Sequence, residues 1–279
     1  MLSDHWLNTN GRRWRICSEG GKQGEALTRA ALDALNLLDL TVETHGPTAL
    51  FPEPAWLKGS ALKGKTALRH GLRFRLGLGL PRLREARNLA WLARHLFVVP
   101  KPLIGLVLFR AGLPRGQWLV TQEQQDARPL LEVWDELDSD QEQTALTELA
   151  REVARMHALG FTHRDLFLRN LMWRGTQARK LLLLDCWRGG PGFDLRGASW
   201  DVGCLLSDLV DLVGGEQAQR WLAEYLDQRA AQDRPVAKES FIPQALKARR
   251  TVIKRLIAQP QRLGSQALPR LDWIPDTWE

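Results

Sequence analysis

From Leu37 to Gly112 the apolar residues come in short runs punctuated by Gly and Pro: Leu38–Val42, Ala55–Leu57 and Leu103–Phe109, with Trp118–Thr121 following. Runs of this length between turn formers predict the strands of a small sheet. Among them, Pro81 precedes Arg82–His95, where Leu83, Ala86, Leu89, Ala90 and Leu92 recur at helical spacing behind a first-turn proline. One helix is therefore expected inside a mostly β half.

After Asp126 the pattern changes. Ser139-Asp140-Gln141-Glu142 reads as a capping box, and Leu146, Leu149, Ala150, Val153 and Ala154 then follow at helical spacing as far as Gly160. Leu181–Asp185 is a wholly apolar run ending in a carboxylate, the pattern of a buried strand. Helices are expected over Val202–Leu212, Gln217–Ala230 and Gln244–Ala258. The chain thus reads as α+β, with a smaller β-rich N-terminal lobe over residues 1–125 and a larger helical C-terminal lobe over residues 126–279, joined near Gln122–Asp126.

With 279 residues, 44% hydrophobic and 25% charged, the composition excludes disorder, coiled coil and collagen-like repeats. Cys17, Cys186 and Cys204 lack the spacing of a disulfide framework or zinc site, which fits a reducing cytoplasm. The first residues reach Arg12, Arg13 and Arg15 without an apolar core, unlike a signal peptide, and Leu96–Gly112 is broken by Pro100, Lys101, Pro102 and Arg110. Membrane contact, if any, is expected to be peripheral.

The formal net charge is +7, and its location matters more than its size. Ten Lys and Arg lie between Lys58 and Arg94 against the single acid Glu85. A second cluster, Lys247, Arg249, Arg250, Lys254, Arg255 and Arg262, lies on or after an amphipathic helix suited to an anionic membrane or phosphorylated glycolipid. No stacking aromatics interleave these cations, which argues against nucleic acid as partner. Most tryptophans are expected in the core, with Trp6, Trp273 and Trp278 placed to meet a membrane interface; Tyr225 is the only tyrosine.

The chemistry concentrates in His163-Arg164-Asp165-Leu166-Phe167-Leu168-Arg169-Asn170, which matches H-R-D-L-x-x-x-N at every specified position. In that arrangement Asp165 orients the hydroxyl that accepts a phosphoryl group. Asn170 and a carboxylate at the end of the next strand, here Asp185, supply oxygen ligands to Mg²⁺.

The loop resembles the protein-kinase-like phosphotransferases, and residues from about Trp56 to Leu209 resemble the lipopolysaccharide core kinases, the Kdo and heptose kinases of the WaaP type. The matching stretches are Trp56-Leu57-Lys58, Leu83-Arg84-Glu85-Ala86-Arg87-Asn88-Leu89, Val98-Val99-Pro100-Lys101-Pro102-Leu103, Met156 through Asp165, and Ser199-Trp200-Asp201-Val202-Gly203. The resemblance implies a bilobal protein-kinase-like fold and ATP-dependent phosphorylation of an inner-core sugar at the cytoplasmic face of the inner membrane. It also implies Lys58 on the α and β phosphates, Glu85 as its helix partner, and Asp201 fixing the catalytic loop from below. Three features depart from protein kinases. No G-x-G-x-x-G loop is present, and only His45-Gly46-Pro47 offers a hairpin turn to cover the phosphates. Cys186-Trp187 stands in place of Phe-Gly, and Phe167 in place of the usual lysine. Two other readings stay open: a kinase for a protein or small metabolite, and a non-catalytic protein binding a glycolipid or partner.

Overall fold

A computed structural model of the chain describes residues 2–9, 11–37, 44–48, 51, 53–175, 181–192 and 194–259. They fall into two compact units, residues 1–125 and 126–279.

The first unit is built on a six-stranded antiparallel sheet. Its strands are β1 (Leu2–Thr9), β2 (Arg12–Glu19), β3 (Thr44–Thr48), β4 (Ala55–Ala61), β5 (Pro102–Arg110) and β6 (Leu113–Gln122), in the order β1-β2-β5-β6-β4-β3. Three helices accompany it: α1 (Gly21–Leu37), α2 (Gly64–Arg75) and α3 (Pro81–Arg94). The sequence pattern anticipated α3 and missed the other two, as well as the β1–β2 hairpin. In β2 the buried Trp14 and Ile16 alternate with Arg13 and Arg15, so the arginines hid a period of two behind a charge run. In α2 the apolar residues are few and Gly71 lowers helix propensity. That glycine is required by packing, because a Cβ there would stand 2.8 Å from Leu113 of β6.

Trp14, Ile16, Leu32, Leu35, Leu57, Ile104, Leu106, Trp118 and Val120 form the core between α1 and the sheet. The expected strand Leu38–Val42 lies outside the described residues, as do Arg262, Trp273 and Trp278. His45-Gly46-Pro47 does not make the expected turn. It lies within β3, paired antiparallel to Lys58-Leu57-Trp56 of β4.

The second unit contains β7 (Arg128–Pro129), α4 (Leu130–Val133), α5 (Ser139–Ala158), β8 (Phe161–Thr162), β9 (Leu171–Trp173), β10 (Leu181–Leu183), β11 (Gly190–Pro191), α6 (Leu195–Ala231) and α7 (Lys238–Ala258). The α5 cap sits one residue before the expected one: Asp138 accepts from Gln141 N, while the Gln141 side chain accepts from Asp138 N. The two helices expected after Asp201 form one span that breaks at Gly214, whose φ of 78° ends one helix and starts the next. Helices α6 and α7 approach so closely that a Cβ on Gly203 would meet Ala248 at 2.7 Å. Within α7, Arg249 is not part of a solvent-facing basic surface. It is 1% exposed, and its Nε lies 3.4 Å from Leu206 O.

Candidate active site

In the first unit Lys58 projects from β4 and Glu85 from α3. Lys58 Nζ donates to Glu85 Oε1 at 3.0 Å, and Arg82 Nη1 donates to Glu85 Oε2 at 2.6 Å. Glu85 is 1% exposed, and a carboxylate so buried requires cationic partners. Arg82 was not foreseen as part of this cluster, although its i,i+3 spacing to Glu85 on a helix was the available signal. Gln117 of β6, also buried, fixes the start of α3 by accepting from Arg82 N at 3.2 Å. The two cations against one carboxylate leave a net positive charge suited to phosphate oxygens. Lys63 and Lys65, the nearby alternatives to Lys58, are exposed at the start of α2.

In the second unit the loop from His163 to Asn170 is held mainly through its backbone. Helix α5 is capped at Leu159, and Gly160, with φ of 80°, turns the chain into β8. Arg164 then takes a left-handed conformation, φ 62°, which is strained for a side chain of its size. The completely buried Asp201 stabilises it, since His163 N and Arg164 N donate to its two carboxylate oxygens at 2.7 and 2.6 Å.

A hydrogen-bonded chain runs on behind Asp201. His157 Nε2 donates to Asp201 at 3.2 Å, and His157 Nδ1 accepts from Tyr225 Oη at 2.8 Å. Burial pushes the His157 pKa down, in keeping with a neutral ring that donates from one nitrogen and accepts at the other. Tyr225 is buried and its hydroxyl engaged, so the sole tyrosine presents no exposed site for phosphorylation.

Past Asp165 the loop is anchored again. Leu168 N donates to the half-buried Asp208 at 2.8 Å, and partial removal from water raises the pKa of that carboxyl to about 6. Asp201 and Asp208 are two helical turns apart on one face of α6. Sequence reasoning found only the first, because nothing marks Asp208 except this spacing. Asn170 Nδ2 donates to Asp165 O at 2.7 Å, and His163 Nε2 donates to Leu184 O at 2.7 Å, tying the loop to the segment that delivers Asp185. Asp185 follows β10 in a left-handed conformation, φ 55°.

The Asp165 carboxylate itself is held loosely, with Arg188 Nη1 at 3.7 Å and Arg169 Nη2 at 3.9 Å. Burial pushes its pKa up, Arg188 and Arg169 oppose that, and the nearby Asp185 charge adds to the rise. An open cleft of about 240 Å³ above it is lined by Arg164, Arg169, Arg188, Arg255 and Trp200. Arg188 and Arg255 lie over the rings of Trp187 and Trp200 at 5.0 and 4.9 Å. Sequence reasoning had not singled out Arg188 or Trp200 as individual site residues.

Among the described residues no group of three or more His, Cys, Asp or Glu side chains gathers as a metal site. Asn170 and Asp185 nevertheless fit Mg²⁺. Both offer hard oxygen ligands, and because the Asn170 amide nitrogen is spent on Asp165 O, its carbonyl oxygen remains for a cation.

The sequence pattern of the lipopolysaccharide kinase (Kdo/WaaP) family matches residues 62–201, half of the chain. No curated protein matches the chain. Among solved structures, WaaP in complex with acyl carrier protein is similar at TM-score 0.57 and 14% identity, over 85% of this chain and 99% of that one. Glucosamine kinase in complex with glucosamine, ADP and inorganic phosphate reaches TM-score 0.49 at 15% identity, over 94% of this chain and 90% of that one. The likeness to WaaP bears out the two-lobed, protein-kinase-like α+β fold. With the family pattern spanning Arg82 and Glu85 of the ion cluster, the catalytic-type loop and its Asp201 anchor, the chain belongs to the lipopolysaccharide kinase (Kdo/WaaP) family, whose members are ATP-dependent kinases.

Proposed function

We propose that the protein transfers the γ-phosphoryl group of ATP to a hydroxyl of a heptose or Kdo residue in the lipopolysaccharide inner core, working at the cytoplasmic face of the inner membrane. The observation that carries this reading is the cleft over Asp165, where a carboxylate on the floor is ringed by arginines and an indole face. Such a lining suits a sugar that bears, or adjoins, negative charge: the indole packs on the ring and the guanidiniums meet carboxylate or phosphate oxygens. An acceptor of this kind is found in the inner core. A protein hydroxyl would have less use for the arginines.

Asp165 accepts the proton of the attacking hydroxyl as its oxygen bonds to the γ-phosphorus and ADP departs. Its raised pKa suits a group that must both hold and release that proton. Lys58, kept in place by Glu85, contacts the α and β phosphates, and Arg82 supports the same carboxylate. Asn170 and Asp185 would hold Mg²⁺, which when bound neutralises charge on the transferring phosphates. Lys63, Lys65, Arg69 and Arg75 of the first basic cluster and Lys247, Arg250 and Lys254 of the second are exposed where anionic lipid can approach.

Labelled ATP offered with purified, truncated lipopolysaccharides ending at Kdo or at heptose, and separately with a protein mixture, tests this. Label should enter a core sugar. Label confined to protein would overturn the reading.

A further inference from the structure

Helix α2 buries Ala67, His70 and Gly71 against the sheet and turns leucines outward on the opposite side. Leu68, Leu72 and Leu76 follow one another every four residues, so they form a single stripe, and they are 58%, 60% and 66% exposed. Leu78, 52% exposed, continues the patch in a segment flanked by Gly77 and Gly79, both with positive φ. Single exposed leucines are ordinary on a soluble surface, but Leu68 and Leu72 on α2 with Leu76 and Leu78 directly after it expose four large apolar side chains on one short stretch, a concentration that marks an interaction site.

The surrounding charge identifies the partner. Lys63, Lys65, Arg69, Arg73 and Arg75 lie on or beside the helix, and none pairs with a carboxylate among the described residues. From Pro54 to Arg84 the sequence has no acidic residue. Two copies of so basic a face would repel each other, which disfavours self-association. Leucines at the centre of the outward face with cations at its margins suit a helix lying in a lipid headgroup layer, its long basic side chains reaching phosphates while the leucines enter the acyl boundary.

We propose that α2 and the segment through Leu78 form a membrane-docking surface that binds the plane of an anionic bilayer. This deepens the reading above, since a lipid-borne acceptor requires the enzyme to work at such a surface.

Flotation of the full-length protein with vesicles of phosphatidylglycerol and phosphatidylethanolamine, and with neutral phosphatidylcholine vesicles, tests the surface without ATP or acceptor. The protein should bind the anionic vesicles, release as salt rises, and bind the neutral ones far less. Leu68→Ser with Leu72→Ser should weaken partitioning on the order of 10²-fold, with phosphoryl transfer to a delipidated core oligosaccharide unchanged. If that pair unfolds the helix, Leu76→Ser with Leu78→Ser probes the same patch at and beyond the helix end and should also weaken binding. Wild-type vesicle affinity in the leucine variants, equal affinity for neutral lipid, or no vesicle binding would each overturn the proposal; the last would leave the basic patch to an acidic protein. Because vesicle binding and transfer to soluble acceptor are read separately, failure of the kinase reading would show only in the second.

Discussion

The cluster at Glu85 and the loop around Asp165 hold their functional groups in opposite ways. In the first unit the side chains hold one another: Lys58 and Arg82 both reach a carboxylate almost fully removed from water. In the second unit no short contact holds the Asp165 carboxylate among the described residues, and the nearest cations stand at 3.7 and 3.9 Å. Its backbone is fixed instead, by Asp201 ahead of it and by Asp208 and Asn170 behind it. Lys58 therefore depends on a charge balance, whereas Asp165 can gain and lose a proton without disturbing the loop that carries it. Damage to the first site should appear mainly in nucleotide affinity, and damage to the second mainly in turnover.

The largest expected effect tests the second half of that contrast. Asp165→Ala should lower kcat on the order of 10²–10⁴-fold, as for loss of a general base, with little change in melting temperature because the carboxylate supports no backbone group. Asp201→Asn should behave differently, since one of two buried N–H donors then faces an amide NH₂. We expect about 2–4 kcal/mol of lost stability in chemical unfolding, and a fall in kcat with KM for ATP nearly unchanged. A shift confined to KM would show that Asp201 does not position the loop.

The contrast also explains what could be read from the sequence. The loop was legible because its parts are adjacent: His163 to Asn170 is one continuous string, and the helix, Gly160 and the strand before Asp185 surround it in order. Lys58 and Glu85 are 27 positions apart, and they were paired from the family resemblance and from the lack of any other acid in that stretch. Arg82, Asp208 and Arg188 were missed because each matters through a contact that only the folded chain creates. Among the elements, α3 showed its apolar stripe plainly. Helix α2 did not, because its leucines face outward and its buried side consists of small or polar residues.

A smaller effect tests the charge-balanced half. Glu85→Gln leaves Lys58 and Arg82 without their shared carboxylate, so KM for ATP should rise on the order of 10- to 100-fold with a lesser change in kcat. The melting-temperature gain produced by ATP with Mg²⁺ should shrink accordingly, and chelating the metal in the wild type should remove it. An undiminished ATP-dependent gain in the variant would separate Glu85 from the nucleotide.

The smallest expected effect asks whether the arginines tune Asp165 or merely line its cleft. Burial raises the Asp165 pKa, and Arg188 and then Arg169 pull it back. As the proposed base, Asp165 would work when deprotonated, so kcat should fall as pH drops through that pKa. Arg188→Gln removes the larger opposing charge, and the acid limb of the kcat profile should move to higher pH while the plateau is kept. Arg188 is 42% exposed, so water screens part of its field and the displacement should be modest. Arg169→Gln should move the limb in the same direction by less, because it is the weaker of the two opposing charges. If Arg188→Gln instead raises KM for the acceptor with no movement of the limb, the guanidinium serves sugar binding alone, and the loosely held carboxylate keeps its raised pKa through burial.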